Sequence, residues 1–196
     1  KALLGADVKA VLGDIAVAAD GTVYASDSAN AAIWRLKPGA AALERVFDDP
    51  RFVSPQGLAV TPDQRFLIVA DYAMGLFAID PDAGKMITLS APSAITLLGI
   101  DGIGFADDGT LIATQNGIAP ERVVAITLDE DVTAVRRMRV IAANAPLHDG
   151  ITLAAAAGPF VYYIANAPWA RFDEAGHDTG SGPFGEAIVA KVAIGP

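Results

Sequence analysis

The residues of this chain that could do chemistry are few, and their positions are patterned. Asp101-Gly102 and Asp149-Gly150 each set a carboxylate directly before a glycine, and His148 precedes the second pair. Two carboxylates gathered in one concave place raise the pKa of one of them unless a cation or donor intervenes, so the pattern suits a divalent metal or general-base catalysis. Gln56 occupies the matching place of another stretch and offers an amide oxygen, which a hard cation such as calcium accepts. The competing reading is that each Asp accepts backbone N–H groups in its own turn and orders the chain. Asn116 and Asn166 are candidates for the same mouth. Trp169 and Arg171 stand in a long Gly-rich segment, 167–184, that reads as a lid or binding loop, with His177 a solvated loop residue. No Ser-His-Asp order, nucleophile elbow, phosphate loop or His-based zinc motif occurs.

Composition narrows what such residues can serve. In 196 residues, 53% are hydrophobic and 19% charged, with mean hydropathy +0.40, which excludes a disordered chain and allows a sizeable core without staples. A net charge of -9 and a pI near 4.5 leave no basic footprint, so nucleic acid is excluded as a partner and cations are favoured. There is no cysteine, hence no disulfide frame, Cys-based zinc site or thiol nucleophile; the compartment, periplasmic or cytoplasmic for a soluble chain, is left open. The apolar stretch 151–170 is broken by Gly158, Pro159, Asn166 and Pro168 and reads as strand, not as a membrane span.

The elements that must position these residues repeat. Gly13-Asp14-Ile15, Gln56-Gly57-Leu58, Asp101-Gly102-Ile103 and Asp149-Gly150-Ile151 recur at intervals of 43, 45 and 48 residues. Each opens an apolar strand, followed by a tight turn such as Asp20-Gly21 or Asp108-Gly109 and a second strand rich in Val, Ile, Tyr and Phe, which is a hairpin signature. A third strand follows at 32–36, 75–79, 122–126 and 187–192, and a fourth at 43–47, 86–89 and 137–141. Four strands per roughly 45 residues define an all-β fold of four-stranded antiparallel propeller blades, with units near 13–50, 56–92, 101–142 and 149–196. Gly13, Gln56, Asp101 and Asp149 are expected to converge at one end of the axis. A second polar set, Asp27, Asp71, Gln115 and Asn166, is expected mainly to bond the loops after the second strands.

The last unit has three strands, and the stretch 8–12 is apolar without a unit of its own. Either that stretch closes the last blade of a four-bladed ring, or the chain is part of a six-bladed propeller whose first blades lie upstream. The start at Lys1, without Met or a long apolar leader, favours the second alternative, and an open arc of blades is expected to self-associate or to need its missing part.

The three segments 13–17, 55–60 and 100–103, the last followed by Thr114-Gln115-Asn116-Gly117 and Arg122-Val123-Val124, resemble the senescence marker protein, gluconolactonase and luciferin-regenerating enzyme family of six-bladed propellers. The resemblance implies one divalent metal, most often calcium, at the channel mouth, and hydrolysis of a lactone or related ester. It implies Asp101 as metal ligand and catalytic base and places Gln56 at a second ligand position; Asp149 is added as a ligand from its place in the repeat. It departs where the family carries two metal-binding Asn residues, here Gly13 and Gln56. The alternative is a non-catalytic propeller that binds a small ligand or a protein through the same mouth, with His148, Asn116, Asn166, Trp169 and Arg171 as contact residues.

Overall fold

The computed structural model describes residues 9–173, 175–180 and 182–195. Its strands form antiparallel sheets in chain order. Blade 1 comprises β1 (Leu12–Val17), β2 (Val23–Asp27), β3 (Ala32–Leu36) and β4 (Glu44–Asp48). Blade 2 comprises β5 (Pro55–Val60), β6 (Leu67–Asp71), β7 (Gly75–Asp80) and β8 (Lys85–Thr88). Blade 3 comprises β9 (Ile100–Phe105), β10 (Leu111–Gln115), β11 (Arg122–Leu128) and β12 (Val135–Ala143). Blade 4 has three strands among the described residues, β13 (Thr152–Ala157), β14 (Phe160–Ile164) and β15 (Val189–Ala193). The fold is an all-β propeller arrangement, as the repeat requires.

The turn chemistry is repeated as closely as the strands. Gly21 and Gly109 have φ of +85° and +82°, and the Asp before each accepts the backbone N–H of the following Thr, Thr22 or Thr110. Blade 2 makes the same turn with Gln64 at φ +62°, Asp63 accepting from Arg65 N–H.

Blades stack face to face. In β6, Leu67 and Val69 point into the core shared with Ile33 and Phe47 of blade 1, while Ile68 and Ala70 point into the core shared with Ile103 and Val124 of blade 3. This explains why β6 is a continuous apolar run: a sheet covered on both faces has no solvent side on which to alternate. A third core joins Ile112, Val123 and Ala125 to Val161, Tyr163 and Ala190 of blade 4.

The innermost strands adjoin in series, β1 with β5, β5 with β9 and β9 with β13. The two ends of that series instead flank a groove lined by Asp14 and Ile15 on one side and by Leu153, Tyr162 and Val189 on the other. Ile15, Val17, Leu153 and Val189 are 63%, 60%, 44% and 61% exposed, so both end sheets present apolar side chains to solvent. Lys9 and Val11 do not run beside blade 4. The Lys9 carbonyl accepts from Asn30 Nδ2 at 2.8 Å and Val11 N–H donates to Asp27 Oδ1 at 3.1 Å, which ties this stretch to the β2–β3 loop. The expected apolar stretch 8–12 thus bonds to blade 1 where it is described; Val8 and the start at Lys1 lie outside the described residues.

Candidate active site

Three of the four repeated positions are displaced from regular strand geometry by the same device. Opposite β2, β6 and β10, two residues of the inner strand face one residue of the partner: Gly13-Asp14 against Ser26, Gln56-Gly57 against Ala70, and Asp101-Gly102 against Thr114. These are β-bulges, which re-aim side chains and increase local twist. The glycines in them serve close approach rather than a turn. A Cβ on Gly57 would overlap the Asp101 carbonyl oxygen, and one on Gly102 would lie 2.6 Å from Leu153 Cα, so successive inner strands meet backbone to backbone near the axis. Thr114 Oγ1 fills the third bulge, accepting from Gly102 N–H at 3.0 Å, as Ser26 Oγ accepts from Asp14 N–H at 3.0 Å in the first.

The fourth position differs from the expectation. β13 begins at Thr152, so Asp149 lies in the loop before it, bridged through its backbone to Asn166. Gly150 has φ +74°, and Glu121 Oε2 accepts from the N–H groups of Gly150 and Ile151 at 3.2 and 3.1 Å, which holds this segment out of the sheet.

These features open onto a cavity of about 990 Å³ at one end of the propeller. Gln56, Asp101, Asn116, Asp149, Asn166, Trp169 and Arg171 all line it, joined by Tyr72, Glu121, Phe184 and Glu186. His148 does not. Its Nε2 lies 2.8 Å from the Tyr163 hydroxyl and its ring stands edge-on to that tyrosine, because the inward-facing side of β14 is the nearest polar partner for a half-buried imidazole. The residue expected as a substrate contact thus lies off this lining, with Nε2 on Tyr163 and Nδ1 buried without a partner among the described residues. Arg171 lines the wall but has its guanidinium engaged: Nε and Nη2 donate to Asp178 at 3.0 and 2.6 Å, and Nη1 and Nη2 to the carbonyls of Pro183 and Gly182. It organises the 167–187 loop.

Asp101 Oδ2 accepts from Asn116 Nδ2 at 2.9 Å and from Thr152 Oγ1 at 2.7 Å, which fixes the carboxylate between blades 3 and 4. Asn116 Nδ2 also donates to the Ile151 carbonyl at 2.7 Å, and its Oδ1 is buried without a partner. Asp14, half-buried in β1, has its carboxyl pushed up by burial, with the charge of Asp101 adding in the same direction against N–H bonds from Leu58 and Ile15. Burial likewise raises the Tyr72 hydroxyl, helped by the charges of Asp101 and Glu121, so it stays protonated as a donor. Sequence reading passed over Asp14 because the bulge was not anticipated, although a glycine inside a strand pattern signals one. It passed over Glu121, which has no counterpart in the repeat, and Tyr72, which holds the repeat position of Asn116 as a different residue type.

Asp27 and Asp71 bond the loops after their strands, as expected, whereas Gln115 bonds the segment before β9 instead. Asp71, wholly buried, accepts from Val53, Ser54, Ala73 and Met74 N–H, and Gln115 Nε2 donates to the Thr96 and Leu98 carbonyls.

The fold and this cavity define a β-propeller with an acidic, aromatic-walled mouth. Solved structures similar to it include a gluconolactonase from Xanthomonas campestris, at TM-score 0.63 and 17% identity over 81% of this chain and 55% of that one. Virginiamycin B lyase from Staphylococcus aureus matches at TM-score 0.64 and 12% identity over 97% of this chain and 57% of that one. The luciferin-regenerating enzyme matches at TM-score 0.60 and 13% identity over 93% and 61%. At these identities the likeness is one of fold, and the chain spans little more than half the length of these propellers. No family profile and no curated protein matches the sequence.

Proposed function

We propose that the cavity is the site of a gluconolactonase-like hydrolase acting on a lactone or related ester, with Asp101 as general base. The observation that carries the reading is the fixed Asp101 carboxylate on the cavity lining: Asn116 and Thr152 hold Oδ2, and Oδ1 has no protein donor among the described residues. A positioned carboxylate of this kind can take a proton from an attacking water. Tyr72, held protonated, is the donor available to an oxygen that gains charge as the ester bond breaks. Glu121 keeps the backbone of Gly150 and Ile151, and with it the Ile151 carbonyl that orients Asn116, in place.

Among the described residues no three acidic or histidine side chains converge as a metal cluster. The oxygen donors of lining residues nevertheless suit a hard cation: the Asn116 Oδ1 is an orphaned buried acceptor, and the Gln56 Oε1 lies in the gap left by Gly13, 3.0 Å from where a Cβ would stand. Asp101, Asn116 and Gln56 would hold calcium, with Asp149 on the rim, and a bound ion would supply Lewis-acid polarisation of the ester carbonyl. Calorimetric titration with calcium, magnesium, manganese and zinc, followed by a panel of γ- and δ-lactones, tests the reading. Calcium binding lost in Asp101→Asn, together with lactone turnover, supports it; absence of both overturns it.

The non-catalytic reading has its own observation, the exposed aromatic loop, in which Trp169 is 60% exposed and Phe184 stacks with Phe172 and under Arg171. Partner binding lost on Trp169→Ala without any turnover to lose would favour it.

A further inference from the structure

The cavity is lined by four carboxylates, Asp101, Glu121, Asp149 and Glu186, and by one guanidinium, Arg171. That guanidinium is bonded to Asp178 and to two carbonyls and lies 4.0 Å from the Phe184 ring centroid, so it is not free to meet an anion.

A count of hydrogen-bonding groups gives an independent indication. Each side-chain amide nitrogen on the lining is engaged within the protein: Asn116 Nδ2 with Asp101 and the Ile151 carbonyl, Gln56 Nε2 with Ser54 Oγ, and Asn166 Nδ2 with the Glu186 carbonyl. The acceptors are not matched in this way. Asn116 Oδ1 is buried and unpartnered, and the Asp149 and Glu186 carboxylates accept no side-chain or backbone donor among the described residues. The donors that remain on the side chains are the Ser54 and Tyr72 hydroxyls, the Trp169 indole and the second N–H of the Gln56 and Asn166 amides, all of them neutral. A surface so rich in free acceptors is complementary to a ligand that donates. The walls add three exposed aromatics, Trp169, Phe184 and Tyr72, while the large aromatics of the blade cores are buried. Aromatic faces attract cations and cover flat apolar bodies.

We propose that this cavity takes a ligand bearing a primary ammonium group on a flat apolar body, the ammonium meeting the Asp149 and Glu186 side of the mouth and the body lying against Trp169 and Phe184. The inference concerns the same cavity as the hydrolase reading and names the charge class that it admits, but it does not require turnover.

Three probes of matched shape test it: 2-phenylethylammonium, 2-phenylethanol and 3-phenylpropanoate. Binding is followed by calorimetry and by quenching of Trp169, the exposed one of the two tryptophans. The ammonium is expected to bind about tenfold or more tightly than the alcohol, as a charge-assisted bond implies, and the carboxylate to bind least. Glu186→Gln, checked for unchanged circular dichroism, should remove about tenfold from the ammonium and leave the alcohol alone. Trp169→Ala should weaken both. Equal affinity for ammonium and alcohol, tighter binding of the carboxylate, or no binding of any probe overturns the proposal. Ammonium preference without lactone turnover would leave this inference standing and the hydrolase reading fallen; turnover of neutral lactones without ammonium preference would do the reverse.

Discussion

Asp71 and Asp101 are the same residue type on neighbouring blades, and the repeat singles out both, yet they do different work. Asp71 ends β6, is wholly buried, and has both oxygens saturated by four backbone N–H groups of two loops. Asp101 sits in the bulge of β9 on the cavity lining, has one oxygen held by Asn116 and Thr152, and leaves the other without a protein donor among the described residues. A carboxylate whose lone pairs are all satisfied is part of the fold; one held by half is available for chemistry. The difference lies in hydrogen-bond saturation, which the bulge creates and the strand end does not.

The comparison breaks most visibly at Asp71. Asp71→Ala removes the buried acceptor that ties four backbone N–H groups of two loops together and should cost about 2–4 kcal/mol of stability in urea unfolding. Asp101→Asn, by contrast, should leave the unfolding midpoint within about 1 kcal/mol while lowering any lactone turnover by about 10²–10⁴-fold. A large stability loss at Asp101 would place it with Asp71 as a loop-bonding residue. Arg171→Ala extends the contrast to the loop. It removes the bonds to Asp178, Gly182 and Pro183, and limited proteolysis should cut the segment 172–188 faster with little change in global unfolding.

Smaller effects sharpen the same distinction. Burial would raise the Asp27 carboxyl, but bonds from Asn30, Trp34 and the N–H groups of Val11 and Asn30 bring it below the usual range, whereas burial raises Asp14. A depressed folded pKa gives stability that is present above the unfolded value of about 3.9 and is lost as pH falls through the lower folded value. A raised one works in the opposite sense: Asp14 lowers stability above its folded pKa, and that penalty is relieved on acidification. Carboxyl NMR titration should find Asp27 below Asp14. The smallest effect is expected at Val189→Lys on the outer face of blade 4, within about 0.5 kcal/mol, because that face meets solvent in this chain. A sedimentation experiment on the same variant, showing weaker association than the parent chain, would mark that apolar face as one that self-associates.

The repeat made the blades legible. Strand order, the Asp-Gly turns and the bonds of Asp27 and Asp71 to the loops just after their strands follow from local patterns, since a hairpin turn and an Asx bond involve residues only a few positions apart; the bonds of Gln115 to Thr96 and Leu98 span the blade and do not. What required tertiary structure was the choice of partner for each polar side chain, within a blade and its loops as well as between blades. His148 reads like a site residue next to Asp149, but its partner, Tyr163, comes from across the blade; Arg171 reads like a contact residue, but Asp178 and two carbonyls claim it. Glu121 has no repeat equivalent, and Tyr72, at the repeat position of Asn116, shares a cavity with it only because blades 2, 3 and 4 converge there. By itself, then, the sequence determined an all-β repeat of four-stranded units and the acidic residues at its inner ends, because periodicity and turn propensity are local. Which of those residues keep an unsaturated oxygen on a cavity lining was decided only when the inner strands packed backbone to backbone and their bulges turned side chains toward the axis.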